Sequence, residues 1–282
     1  MRNFTLILSC RGEAASRSEP VKTASFGLSD IGRRRTTNED AFLIDEELGL
    51  FVVADGMGGH NAGEIASEQA VETLHGMFQR EAASIEALAS IPPRHHDEPG
   101  ETIPPAMRKL LRLMESAIQA ATYMVFGLGE ANPDQKGMGT TLSVLLLRAG
   151  YAITGQVGDS RIYRMREGHA EQVTEDHTLV AWQLKKGLIT EDEARNSRQK
   201  NVITRAVGSK EYVQVDTHSF PVDIGDRFLL CSDGLHGYIH ESEIAALLEG
   251  DVEEAANRAV AIANHRGGRD NITAVVAEVE AL

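Results

Sequence analysis

TTLSVLLLRAGYAITGQVGDSRIYRMREGHAEQV, residues 140–173, holds four short apolar-rich runs separated by tight turns. Runs 140–147 and 151–157 flank Arg148-Ala149-Gly150, and runs 161–165 and 169–173 flank a turn at Glu167-Gly168. A parallel crossover needs about a dozen residues, and these connections are far shorter, so each pair is expected to be an antiparallel hairpin. Two such hairpins in succession imply antiparallel sheets and exclude a parallel, doubly wound one.

The same grammar recurs outward from this segment. Residues 41–44 and 50–54 enclose the polar turn 45–49 and read as another hairpin. Between the hairpins lie two helical stretches, one with Ile65, Val71, Leu74 and Phe78 on one face, the other with Met107, Leu110, Leu111, Met114, Ile118 and Ala121. Asn61 is expected to cap the first, with Glu64 three residues on. The segment 91–105, IPPRHHDEPGETIPP, is rich in proline and charge and reads as an exposed connection. Residues 176–201 are polar and helix-prone without a wide apolar stripe, which predicts a small surface subdomain. Further strands are expected over 212–220, 227–231 and 272–279, and helices over 241–248 and 252–265. Residues 1–20, ending in the small polar run RGEAASRSEP, read as a flexible extension ahead of a folded part that begins near Val21.

Composition narrows the function. In 282 residues, 42 acidic side chains outnumber 28 basic ones, so the net charge is −14. A chain so acidic lacks a general attraction for phosphate backbones, and nucleic acid is excluded as an expected partner. No run approaches the roughly 18 apolar residues of a membrane span, so no membrane insertion is expected. Cys10 and Cys231 are far apart, with no disulfide framework suggested, which fits a reducing cytoplasm. Neither begins a C-x5-R arrangement, so a thiol nucleophile for phosphate chemistry is not indicated.

Four aspartates stand where apolar strands begin or end: Asp55 in FVVADG, Asp159 in TGQVGDS, Asp233 in RFLLCSDG and Asp270 in GGRDNITAVV. Gathered at one sheet rim without a cation, they would repel one another severely. Oxygen donors with no cysteine or histidine among them suit Mg²⁺ or Mn²⁺, not zinc. Asp55 opens DGMGGHNAGE, whose glycines allow close backbone approach and whose Gly56 carbonyl can join a carboxylate on a cation. The run is neither a dinucleotide fingerprint nor a Walker loop. Upstream, GRRRTTNED sets Arg33, Arg34 and Arg35 beside Glu39 and Asp40. A guanidinium grips a phosphoryl group bidentately, which matches a metal site suited to phosphate chemistry.

In order along the chain stand RTTNED (35–40), ADGMGGH (54–60), GMGTT (137–141), VGDSR (157–161), TEDH (174–177), NVITRAVG (201–208), SDGL (232–235) and RDNIT (269–273). This series resembles the metal-dependent Ser/Thr protein phosphatases of type 2C in their bacterial form, from about Val21 to the C-terminus. The resemblance implies an α+β fold, a four-layer α-β-β-α sandwich of two antiparallel sheets flanked by helix pairs. It implies one catalytic domain over 21–282, with a flap subdomain at about 174–205.

It further implies two Mn²⁺ or Mg²⁺ ions, with a weaker third. Asp55 would bridge the pair, the Gly56 carbonyl would bind one ion, and Asp233 with Asp270 the other. Asp159 with Asp233 would hold the third. Glu39 and Asp40 would orient water, Arg35 would clamp phosphate and His60 would protonate the leaving group. The implied reaction is hydrolysis of phosphoserine and phosphothreonine in proteins by direct attack of a metal-bridging hydroxide. Implied partners are phosphoproteins, a Ser/Thr kinase and its substrates among them, and a monomer is expected. Two alternatives stay open at this point: a catalytically silent phosphoprotein-binding relative, and a hydrolase of small phosphate esters. Many bacterial relatives carry His-Pro in the flap where this chain has Ser197-Arg198, so a relative's substrate preference does not transfer.

Overall fold

A computed structural model describes residues 21–58, 62–87 and 105–282. In chain order the elements are β1 (Lys22–Asp30), β2 (Asp40–Asp45), β3 (Leu50–Met57), α1 (Ala62–Arg80), α2 (Ala82–Ala87), α3 (Pro105–Ala131), β4 (Gly139–Thr140), β5 (Leu142–Arg148), β6 (Tyr151–Val157), β7 (Arg161–Arg166) and β8 (His169–Gln172). Then follow α4 (Leu179–Lys185), α5 (Glu191–Asn196), β9 (Asp216–Pro221), β10 (Arg227–Cys231), α6 (Asp233–His236), α7 (Glu241–Leu247), α8 (Val252–Arg266) and β11 (Ile272–Ala281).

The strands form two antiparallel sheets, ordered β1-β11-β10-β7-β8 and β2-β3-β5-β6-β9, with β4 attached to β3. The expected α+β sandwich is therefore present, and side-chain alternation explains its layers. In β3, Leu50, Val52 and Ala54 pack toward α1 and α3, while Phe51 and Val53 point between the sheets. In β11, Ile272, Ala274 and Val276 pack toward α8, while Val275, Ala277 and Val279 join Phe51 in the inter-sheet core. Strands buried on both faces account for the continuous apolar runs that revealed them. Truncating Phe51, which is fully buried, would cost about 3–5 kcal/mol.

The hairpins β5–β6 and β7–β8 belong to different sheets. The chain crosses between them at Gly158, Asp159 and Ser160, and Gly158 adopts φ +99, where a Cβ would meet Thr141 Cβ at 2.6 Å. The crossing therefore requires glycine.

Several expectations are corrected. The run 140–147 is divided at Thr141 into β4 and β5, which meet β3 in one register, with Thr140 opposite Gly56 and Ser143 opposite Val53. The strand expected from 212 begins at Asp216; Val213 and Val215 upstream pack against the helical core. Pro105 opens α3 instead of ending a loop, a position where its missing N–H costs nothing. Strand β1 and helix α6 had no expectation: KTASFGLSD is too polar to stand out, and α6 has only four residues. The two helices α4 and α5 occupy the 176–201 stretch as a polar subdomain with no fully buried residue in either helix. The expectations for residues 1–20, Asn61 and most of 91–105, including His95 and His96, lie outside the described residues.

Candidate metal centre

Antiparallel order brings the end of β1, the start of β2, the end of β3, the β6–β7 crossing, the end of β10 and the start of β11 to one edge of the sandwich. Arg35, Glu39, Asp40, Asp55, Asp159, Asp233 and Asp270 all arrive there. Asp55 lies inside β3, not at its end, and Asp233 opens α6, with Ser232 at the N-cap position.

Asp40, Asp55, Glu39 and Asp159 are held by neighbours the sequence alone did not single out. Asp40 Oδ2 accepts hydrogen bonds from Ser232 Oγ at 2.8 Å and Thr273 Oγ1 at 2.6 Å. The Asp55 backbone is locked on both sides: its N–H donates to Thr141 Oγ1, and its carbonyl accepts from the Thr141 N–H and the Thr140 hydroxyl, all at 2.9 Å. Asn271 organises the arginine loop: Oδ1 accepts the Glu39 N–H at 2.9 Å, while Nδ2 donates to the carbonyls of Ile31 and Thr37. Near Asp159, Gln156 Nε2 donates to the Ser160 carbonyl at 2.7 Å, and the Gly158 N–H donates to His177 Nδ1 at 3.2 Å. His177 therefore carries its proton on Nε2, 3.0 Å from Asp216 Oδ2. His236 Nε2 donates to the Asp159 carbonyl at 2.9 Å. All but Ile31, Gln156, Asp216 and His236 fall inside the motifs quoted above, so motif membership was the available signal; the polar, uncharged character of most of them hid the role.

Electrostatically the edge is out of balance. Asp40 is pushed up to about 7, first by burial and also by Asp233 and Asp270, against the two hydroxyl bonds that favour its ionised form. Asp159 rises to about 7, chiefly through burial and then through Asp233. Asp55 lies well above the usual carboxylate range, from burial first and then from Asp40, Asp233, Asp159 and Asp270. Asp233 is raised by burial and by Asp270, and lies within hydrogen-bonding reach of the Asp55 carboxyl. Arg35 is the nearby cation, but Nη2 bonds Asp270 Oδ2 at 2.8 Å and Nη1 is 3.7 Å from Glu39 Oε2. It reaches only the outer part of the cluster. Cys231 is buried with its thiol pushed up to about 12, so it is no nucleophile.

The residues fit divalent cations. Every donor is a hard oxygen, and Asp40 Oδ1 is buried without a hydrogen-bond partner. At Gly56 a Cβ would lie 2.0 Å from the Gly63 carbonyl and 2.6 Å from that of Glu39, so only glycine lets the end of β3 pack against the start of α1 and the Glu39 backbone. Among the described residues no three His, Cys, Asp or Glu side chains close around a single point. A cation here would complete its shell with carbonyl oxygen and water, as Mg²⁺ and Mn²⁺ do. His60 lies outside the described residues.

A sandwich of two antiparallel sheets carrying a carboxylate cluster at one edge defines a class of metal-dependent phosphate hydrolases, and comparison with known proteins narrows it. The profile described as "Protein phosphatase 2C" matches residues 31–269. The serine/threonine phosphatase stp of Listeria monocytogenes is 35% identical over 255 residues, spanning 89% of this chain and 93% of the relative. PstP of Mycobacterium tuberculosis is 36% identical over 252 residues, spanning 89% of this chain and 44% of that longer protein. The PstP/Ppp crystal structure superposes with a TM-score of 0.78 at 34% identity, covering 92% of this chain and 99% of that one. A PstP catalytic-domain structure in complex with two manganese ions gives 0.74, also at 34% identity, covering 92% and 98%. The chain thus belongs to the protein phosphatase 2C family and is a metal-dependent protein-serine/threonine phosphatase. Phosphoproteins are its substrates. Among the described residues no helix is long and apolar enough to cross a membrane.

Proposed function

We propose that residues 21–282 form one catalytic domain that hydrolyses phosphoserine and phosphothreonine without a covalent enzyme intermediate, using two Mn²⁺ or Mg²⁺ ions and a weaker third. The observation that carries this reading is the cluster of Asp40, Asp55, Asp159 and Asp233, each raised above the usual carboxylate range, at one sheet edge beside Arg35. Asp55 would be shared by the pair, with the Gly56 carbonyl on one ion and Asp233 with Asp270 on the other, and Asp159 with Asp233 for the third. When bound, the cations supply a water acidic enough to act as nucleophile near neutral pH.

The chain's own groups do the rest. With Oδ2 committed to Ser232 and Thr273, Asp40 keeps Oδ1 to accept a proton from that water and fix its direction. Glu39, whose N–H is pinned by Asn271, holds a second water in the same way. Arg35 grips phosphoryl oxygens through a guanidinium steadied by Asp270. His60 protonates the departing alkoxide, a poor leaving group without such help.

The flap over 174–205 flanks this edge, and physiological partners are a Ser/Thr kinase and its targets, met in the cytoplasm by a monomeric phosphatase. The deciding experiment presents phosphopeptides, nucleotides and an aryl phosphate to chelator-stripped protein with and without Mn²⁺. Mn²⁺-dependent turnover of phosphopeptides in preference to nucleotides is expected. Preference for nucleotides would overturn the substrate class, and turnover of none would favour a silent binding relative.

A further inference from the structure

A groove of about 750 Å³ runs from the aspartate cluster outward between the α4–α5 subdomain and the loop before β11. Its inner end touches Asp159 and Asp233, and its outer walls include Val180, Leu184 and Ala194. A phosphoryl group needs a small fraction of this space; the volume is that of a site for a larger ligand. A polypeptide whose phosphorylated residue sits at the cluster has to lay its flanking residues somewhere, and this groove opens directly from that point.

Charge in the groove divides into committed and uncommitted groups. Arg161 is bound bidentately to Asp176, with Nη2 2.7 Å from Oδ2. Arg195 pairs with Glu191 at 2.9 Å, and Glu175 pairs with Lys185 at 2.6 Å. The inner aspartates belong to the metal cluster. Two lining cations are left over: Lys200 and Arg269 are exposed and make no ion pair among the described residues. In a chain of net charge −14, a groove whose only uncommitted charges among the described residues are two cations stands apart from the acidic surface as a whole.

We infer that this groove seats the polypeptide flanking the phosphorylated residue, and that Lys200 and Arg269 make the enzyme select acidic flanks. The inference rests on the phosphoprotein reading above and extends it to substrate class: a phosphoserine or phosphothreonine with Asp, Glu or a second phosphate nearby. Neither cation touches the reacting group; both act on residues beside it, so they set specificity and not chemistry. Exposed pairs are individually weak, and two acting together are worth about tenfold in affinity.

The test uses three peptides sharing one central phosphoserine, flanked by acidic, alanine or basic residues, and the same three carrying a non-hydrolysable phosphonate and a fluorescent label. Full-length wild type is compared with Lys200→Glu/Arg269→Glu in Mn²⁺, with an aryl phosphate as the flank-free reference. Anisotropy should rank acidic over alanine over basic for wild type, with about tenfold between the extremes, and the order should invert in the double variant. Values of kcat/KM, each divided by that for aryl phosphate, should follow the same order. A wild type that binds all three peptides alike, or a double variant that keeps the wild-type order, would overturn the inference. Failure to hydrolyse any phosphopeptide would defeat the parent reading alone, because the groove stands or falls on the anisotropy order.

Discussion

Asp40 and Asp55 are Cα partners across the β2–β3 ladder, so two carboxylates project from neighbouring strands onto the same face. Directly opposed like charges destabilise a sheet, and here each is raised by burial and by further aspartates around it. The metal-free fold therefore carries repulsion that bound cations relieve.

Replacing Asp55 with Asn removes the charge that the others crowd most. Without metal, in chelator at pH 8, Asp55→Asn should melt at a higher temperature than wild type. The melting-temperature gain on adding Mn²⁺, large for wild type because ligand binds only the folded state, should shrink. Hydrolysis should fall by more than about 100-fold, beyond the usual cost of losing a group one step removed from a metal. Thermal melts with and without Mn²⁺, alongside initial rates, check all three; an Asn variant with undiminished Mn²⁺ stabilisation would remove Asp55 from the metal site.

Arg35 is tied to Asp270 at 2.8 Å and is 45% exposed, so its guanidinium is held in place and still faces outward. If it grips phosphate alike in the ground and transition states, Arg35→Ala should raise KM by about tenfold and change kcat by less than about threefold. Because the change also strips a cation from Asp270, half-saturation by Mn²⁺ should not rise. Arg33→Ala and Arg34→Ala, whose side chains form no ion pair among the described residues, should leave KM within about twofold of wild type. A KM effect confined to Arg33 or Arg34 would show that the clamp lies elsewhere in the cluster.

How far the sequence could be read follows from which groups carry a local signal. The hairpins were legible because β5, β6 and the interior of β3 are buried on both faces, read as apolar-rich runs and are joined by tight turns. Strand β1 was not: it pairs only with β11 at a sheet edge, and its residues are mostly half-buried, so its sequence mixes polar and apolar. The membership of each hairpin in a particular sheet was also hidden, because it depends on Gly158 turning the chain across the sandwich, and a Gly-Asp-Ser turn looks the same whichever sheet follows. The acids announced themselves by charge. Their holders, Thr141, Ser232, Asn271 and Thr273, are ordinary turn and strand residues until the fold brings them to the acids from up to 233 residues away.

For His60 the chemistry of the leaving group supplies the test. A serine alkoxide is strongly basic and gains much from protonation, whereas an activated phenolate leaves unaided. His60→Ala should therefore slow phosphopeptide hydrolysis by about 10²-fold or more, and aryl phosphate hydrolysis far less. Steady-state rates for both substrates at saturating Mn²⁺ across a pH series decide the role. Equal losses would mean that the imidazole orders the site without donating a proton.

His236 offers a pH dependence that belongs to folding and not to turnover. Its Nε2 donates to the Asp159 carbonyl, and the ring is held neutral down to about 3, first by its enclosed position and then by Arg161, with Asp176 opposing and Lys200 adding a smaller push. An unfolded histidine titrates near 6.5, so below that pH the unfolded chain takes up a proton that the folded one refuses. The stabilisation is complete above about pH 6.5 and is lost as pH falls toward 3. Because groove water reaches part of the ring, the loss by about pH 4 should be roughly 1–3 kcal/mol, less than full conversion of the shift would give. His236→Gln keeps a donor for the carbonyl and has no proton to gain. Denaturant melts in chelator at pH 7 and pH 4 keep metal release out of the comparison, and the acid-facing aspartates titrate in both proteins. The wild type should lose more stability than His236→Gln between the two pH values; parallel losses would mean that the ring accepts its proton in the folded state.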